Sequence, residues 1–221
     1  MTSQLVDRIQ SKIESAYLDG GYSLSWSFLS SPLANLNSSK VALLGLNPGG
    51  GSIGHYHPSF SCEDGSAYVI ESWGGRPAGT SKLQQQVRKL FAALALEPSS
   101  VLSGNIVPFR SPNWAALSNR TEALLFGKSI WRELFSHWTP ELVVCLGEDS
   151  ARTVRNILGI QNLERILVGW GNCTLSIGQT ETCRVIGLPH LSRFAIIGRS
   201  QNEDALAQAF GDLWRREFLL A

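Results

Sequence analysis

The sequence predicts an α/β protein, a three-layer α/β/α arrangement with a central, mainly parallel four-stranded sheet and a small β-hairpin. Three observations carry this. Short continuous apolar runs alternate with longer segments of helical spacing, the pattern of strands covered on both faces by crossover helices. The runs end in loops rich in Gly, Asn, Pro and His, as at the ligand-binding edge of such sheets. The chain of 221 residues, 43% hydrophobic and 17% charged, suits one domain, 1–221, with a sizeable core.

The first helix is expected over 4–18, where Leu5, Ile9, Ile13 and Ala16 share a face. KVALLGL at 40–46 has the character of a strand buried on both sides. A helix over 82–96 sets Leu83, Val87, Leu90 and Leu94 in register, and VLSGNIVP at 101–108 is the next strand. Residues 122–138 form a helix with Leu125, Ile130, Leu134 and Trp138 as candidate core positions. ELVVCLG at 141–147 is the clearest strand, followed by a helix over 149–158 with Asp149 or Ser150 near its start. Residues 165–178 read as a hairpin turning around Gly169–Asn172, and CRVIGL at 183–188 as a further strand. An amphipathic helix over 203–219 closes the chain, carrying Leu206, Phe210, Leu213, Trp214 and Phe218. Ligands in such sheets bind beyond the carboxyl ends of the strands, here just after 46, 107, 147 and 188. The connection 47–81 is long for a passive loop.

Composition narrows the function. No stretch approaches eighteen unbroken apolar residues, so no membrane span is expected. The N-terminus lacks an apolar run of signal-peptide type, which makes the cytoplasm the expected location. A net charge of +1 gives no bulk attraction to nucleic acid, so a DNA surface would need local clustering of Arg and Lys. Cys62, Cys145, Cys173 and Cys183 show no CxxC and no short metal spacing, and are read as structural thiols.

Several decoys are set aside. Gly49-x-Gly51-x-x-Gly54 followed by Glu71 matches a dinucleotide fingerprint formally, but HYHPSFSCEDG has no helical spacing and contains Pro58. His55 and His57 flank Tyr56 without a third ligand, so they are read as cleft lining, with no metal expected. Glu63 and Asp64 read as a solvated turn, with a water-activating carboxylate as the alternative. Trp114, beside Arg110 and Asn113, is the tryptophan placed to face DNA.

Three strand ends carry distinctive strings. The first is Gly45-Leu46-Asn47-Pro48-Gly49-Gly50-Gly51, the second Gly104-Asn105-Ile106-Val107-Pro108-Phe109-Arg110, and the last Leu188-Pro189-His190-Leu191-Ser192-Arg193-Phe194. A Gly-Pro loop exposes backbone N–H groups, an Asn offers both a donor and an acceptor to a pyrimidine edge, and His with Ser and Arg combines base chemistry with phosphate anchoring.

In their order and spacing these strings resemble the motifs of the uracil-DNA glycosylase superfamily. GLNPG is similar to the Asn-containing first motif of mismatch-specific and single-strand-selective enzymes. The resemblance implies a monofunctional glycosylase acting on DNA, with no cofactor, no membrane association and no obligatory protein partner. It makes Asn47 the residue that positions water and His190 the one that stabilises the departing base. Gly45, Leu46, Pro48, Gly49, Phe60 and Asn105 would bind the base, Phe60 by stacking and Asn105 by reading the pyrimidine face. Gly50, Gly51, Arg110, Ser192, Arg193 and Phe194 would bind DNA. In that group Ser192 holds a phosphate and Arg193 or Phe194 wedges into the vacated space.

The chain departs from the family at three places. The last loop reads His-Leu-Ser instead of His-Pro-Ser. The cysteines that hold an iron–sulfur cluster in one branch are absent ahead of the first motif, so no cluster is expected. Glycine replaces the aromatic that excludes 5-substituted pyrimidines, which extends the expected substrates from uracil to 5-substituted bases, including modified cytosines of phage DNA. A non-catalytic module that grips a flipped base is the alternative, distinguished by its failure to produce abasic sites.

Overall fold

A computed structural model describes residues 3–51 and 57–219. In chain order the elements are α1 (Ser3–Asp19), β1 (Val41–Gly45), α2 (Ala67–Ile70), α3 (Lys82–Ala93), β2 (Leu102–Asn105), α4 (Arg120–His137), β3 (Leu142–Leu146), α5 (Glu148–Leu158), β4 (Glu164–Leu167), β5 (Thr174–Gln179), β6 (Arg184–Leu188) and α6 (Glu203–Phe210). Among the described residues no helix is long and apolar enough to cross a membrane.

Six strands form one sheet in the order β2-β1-β3-β6-β5-β4, with β2, β1, β3 and β6 parallel and the last two antiparallel. The expected four-stranded sheet is thereby corrected to six strands. The hairpin does not stand apart, because β5 pairs along β6 from Ser176↔Gly187 to Gln179↔Arg184. Without it the outer backbone groups of β6 would lack partners. Sequence periodicity cannot show which edge a hairpin joins.

Alternation along the strands assigns the two faces. Ala42, Leu44, Val143, Cys145 and Val185 enter one core with α1, α4 and α5. Leu43, Leu142, Val144, Ile186 and Leu188 enter the other, with Tyr68 of α2, Leu90 of α3 and Leu206 of α6. The outer edge of β2, for which the sequence predicts no cover, is closed by the irregular segment 26–31. There Ser30 donates its N–H to the Ser103 carbonyl at 2.8 Å, and Asn105 donates to the Phe28 carbonyl at 2.9 Å.

Other boundaries shift for local reasons. Leu125 is 62% exposed, because α4 buries the stripe of Ala123, Gly127, Ile130, Trp131 and Leu134 instead. Trp138 lies just beyond that helix, half-buried. The fifth helix is preceded by Gly147 and has no side-chain cap, so neither Asp149 nor Ser150 caps it. The strand expected over 101–108 is limited to Leu102–Asn105, and the helix over 82–96 ends at Ala93. The last helix stops at Phe210, where Gly211 (φ 58°, ψ −137°) breaks it and leaves Leu213 exposed.

Fully buried Trp131 donates its Nε1–H to the Asn105 carbonyl at 2.9 Å, tying α4 to the end of β2. Trp131→Phe keeps most of the ring packing and loses this bond, so unfolding free energy should fall by about 1–3 kcal/mol. The denaturant midpoint reads the change. An unchanged midpoint would show that apolar contact alone docks α4.

Candidate active site

The chain leaves β1 towards the face of α2 and α3, but leaves its neighbour β3 towards α5 on the opposite face. A crevice must open between connections that diverge in this way. The result is a cleft of about 1100 Å³ reached by the ends of β1, β2, β3 and β6. Gly45, Leu46, Asn47, Gly49, Asn105, His190, Ser192, Arg193 and Phe194 all line it, so the three strings converge on one site.

Asn47 is half-buried and its amide is held firmly. Nδ2 donates towards the Ser111 hydroxyl at 2.8 Å, the Phe109 carbonyl at 3.2 Å and the Pro48 carbonyl at 3.3 Å. The Ser111 hydroxyl in turn donates to the Asn113 carbonyl at 2.8 Å, so it can only accept from Asn47. Three acceptors around one end identify it as the NH₂ group. Oδ1 is therefore the end left for a ligand or water.

Asn105 is only 9% exposed, yet its carboxamide makes no hydrogen bond to another described residue and lines the cleft. A buried amide without a partner among the described residues is a place for a ligand that offers both a donor and an acceptor. Gly45 faces it across the strand pair, and a Cβ at 45 would lie 2.9 Å from Asn105 Oδ1. The glycine keeps that amide's space open.

His190 follows β6. Its Nδ1 lies 2.8 Å from the Ser192 hydroxyl and 3.4 Å from the Ser192 backbone N–H. A backbone N–H can only donate, which favours Nδ1 as the acceptor and Nε2 as the site of the neutral ring's proton. The ring is exposed to cleft water, but the surrounding walls desolvate it, and with nearby Arg193 they hold its pKa below that of free imidazole. Gly147 packs against it, with the position of a Cβ 3.8 Å from Cδ2. Its φ of 101° is in a region that favours glycine.

The remaining predicted positions fall around this centre. Arg193 and Phe194 are exposed at the mouth, where Phe194 meets Trp170 edge-on at 5.9 Å. Ser192, given to a phosphate by the sequence resemblance, pairs with His190 here. Arg110 donates to the Gly49 carbonyl at 2.7 Å, and with Gly51 it borders a smaller neighbouring depression. Pro48 is buried and Gly50 half-buried, both next to the cleft lining in sequence. Phe60 is half-buried against Phe28, with ring centroids 5.4 Å apart, and is not among the lining residues. Trp114 is among them. Glu63 accepts from the Leu33 N–H at 3.0 Å and lies away from the cleft. His57 is exposed, and His55, Tyr56 and Gly54 lie outside the described residues. Among the described residues the first helical element after the glycine string is α2. All four cysteines are free thiols, and burial pushes the Cys183 thiol up to about 11.

Sequence reasoning misses Ser111, Gly147, Tyr68 and Leu83, all of which line the cleft. A signal existed for two of them. Ser111 directly follows the second string, and Gly147 ends the clearest strand. Tyr68 and Leu83 come from α2 and α3, which Gln84 ties together by donating to the Ala67 and Glu71 carbonyls at 3.1 and 2.7 Å.

A family model described as the uracil DNA glycosylase superfamily matches residues 32–214. No curated protein matches the chain.

The His190 environment gives a signed expectation. Burial lowers its native pKa, so the unfolded chain binds this proton more readily than the folded one. Stability from this residue is fully present above the unfolded-state pKa and declines as pH falls towards the depressed native value. An NMR titration should place the His190 midpoint below that of the denatured chain. A midpoint at or above the denatured value would remove the neutral-ring assignment.

Proposed function

Because the chain belongs to the uracil-DNA glycosylase superfamily, a superfamily of DNA glycosylases, we propose that it hydrolyses the N-glycosidic bond of a pyrimidine flipped out of DNA, without lyase activity. The whole chain, 1–221, acts as one domain in the cytoplasm on this reading. The observation that carries it is the fixed polarity of the cleft: an amide oxygen held outward on Asn47 and a ring N–H on His190.

Breaking this bond builds positive charge on the sugar and negative charge on the leaving base. Such a transition state needs placed dipoles more than a strong nucleophile. Oδ1 of Asn47 accepts a hydrogen bond from water and orients its lone pair towards the sugar carbon. Nε2–H of His190 donates to the base oxygen where charge accumulates. Neutrality suits that task, since the ring donates without losing its proton. Asn105 reads the pyrimidine edge with both ends of its amide, while Arg193 and Phe194 engage the DNA at the mouth. Water supplies the hydroxyl added to the sugar carbon, and its proton leaves with the base.

The glycine string supports acceptance of 5-substituted pyrimidines, modified cytosines of phage DNA among them, with repair of uracil or thymine mismatches as the alternative. Gly49 lines the cleft, and a Cβ there would meet no described residue within 4 Å. Among the described residues that wall is open.

Labelled oligonucleotides carrying uracil, mismatched thymine or 5-substituted cytosine, incubated and then cleaved with alkali, test the activity. Asn47→Ala and His190→Ala should each slow single-turnover excision by about 100-fold or more. Near-normal rates in both would remove the assignment. Bound DNA without any abasic site would favour the non-catalytic binder.

Gly49→Tyr tests the open wall without straining the backbone, unlike Gly50, whose φ is 151°. It should abolish excision of a 5-substituted base and spare uracil. Wild-type activity confined to uracil defeats the open-wall idea.

A further inference from the structure

Residues 72–96 and residues 182–202 contain no acidic residue, in a sequence that has 18. The fold lays them side by side. Lys82 Nζ donates to the Arg193 carbonyl at 3.3 Å. Gln86 then holds both backbone groups of Ile197, accepting from its N–H at 2.9 Å and donating to its carbonyl at 3.2 Å. Lys89 Nζ lies 3.6 Å from where a Cβ on Gly198 would be. Positions 82, 86 and 89 share one helical face, so the segment after His190 runs along α3.

The surface this creates carries Lys82, Lys89, Arg193 and Arg199, all exposed, and none is ion-paired with a described carboxylate. Arg199 is stacked over the Trp170 ring at 4.1 Å, and Trp170 also supports Phe194, which reduces the ordering needed on binding. The opposite arm of the cleft differs. Arg152 is paired with Asp149 and Arg165 with Glu148, so two of its cations are already neutralised, while the half-buried Arg155 donates its Nε–H to the Ile160 carbonyl. Carboxylates there also repel phosphate. A chain with a net charge of +1 thus concentrates uncompensated positive charge on one side of its cleft.

We propose that DNA leaves the cleft along α3, with its phosphodiester backbone on Lys82, Lys89, Arg193 and Arg199, and not over α5 and β4. The inference rests on the DNA reading above and adds the path. From Lys82 to Lys89 the helix rises about 10 Å, over which one strand of a duplex presents about three phosphates.

The experiment measures the affinity of the full chain for a fluorescent duplex by anisotropy across a salt series. Lys82→Ala/Lys89→Ala should weaken binding by about tenfold at moderate salt and reduce the log–log salt slope by about two, one per lost phosphate contact. Arg152→Ala/Arg165→Ala should leave the slope unchanged. Both pairs are exposed, and thermal melts confirm that the variants fold. An unchanged slope in the α3 pair, or a reduced slope in the α5 and β4 pair, overturns the path. Preference for anionic vesicles over DNA overturns it as well. If the slopes behave as expected while no base is excised, the path stands and the glycosylase reading falls.

Discussion

Strands β1 and β3 lie side by side, and the chain departs from their carboxyl ends towards opposite faces of the sheet. Everything at the site depends on that divergence. Each face must be covered by helices to bury the apolar residues of the parallel strands, and the first connection covers one face while the third covers the other. No connection then crosses between them, and the strand ends remain accessible. The sheet supplies rigid positions for Asn47, Asn105 and His190, and the helices supply only walls.

The three side chains gain their chemistry from what holds them. Asn47 is oriented by two carbonyls and a hydroxyl, His190 by the serine two residues on, and Asn105 by its place in a strand. The first two are satisfied on the protein side and open on the cleft side. The third is open at both ends of its amide. Such dipoles need little reorganisation when charge develops, which is how placed hydrogen-bonding groups can lower a barrier. Phe28 joins the two halves of this support, since its carbonyl accepts from Asn105 N–H while its ring packs on both Phe60 and Trp131.

Much of this was legible in the sequence because the functional strings are local. A strand end followed by Gly, Asn and Pro, or by Pro, His and Ser, carries its backbone geometry and its side chains within a few residues. Helices with a single apolar stripe, such as α1, were equally plain. Features built from distant partners were not. Ser111 acts on a residue 64 positions earlier, and the segment covering β2 has no periodicity of its own. Leu125 misleads because α4 offers more than one apolar stripe, and only the neighbouring sheet selects between them. The hairpin looked separate for the same reason: pairing is a property of two strands. Bulk charge concealed the partition of cations, which emerges only when two acid-free stretches are brought together.

The residue after Asn47 has a chemical consequence of its own. An asparagine ages to aspartate when the backbone nitrogen of the next residue attacks its side-chain carbonyl and closes a ring. Pro48 has no N–H at that nitrogen, so the usual route is closed at this position. The amide is also gripped by three acceptors, which opposes the rotation that ring closure would require. An uncharged carboxamide at the end of β1 is thus protected over the lifetime of the protein from becoming a carboxylate.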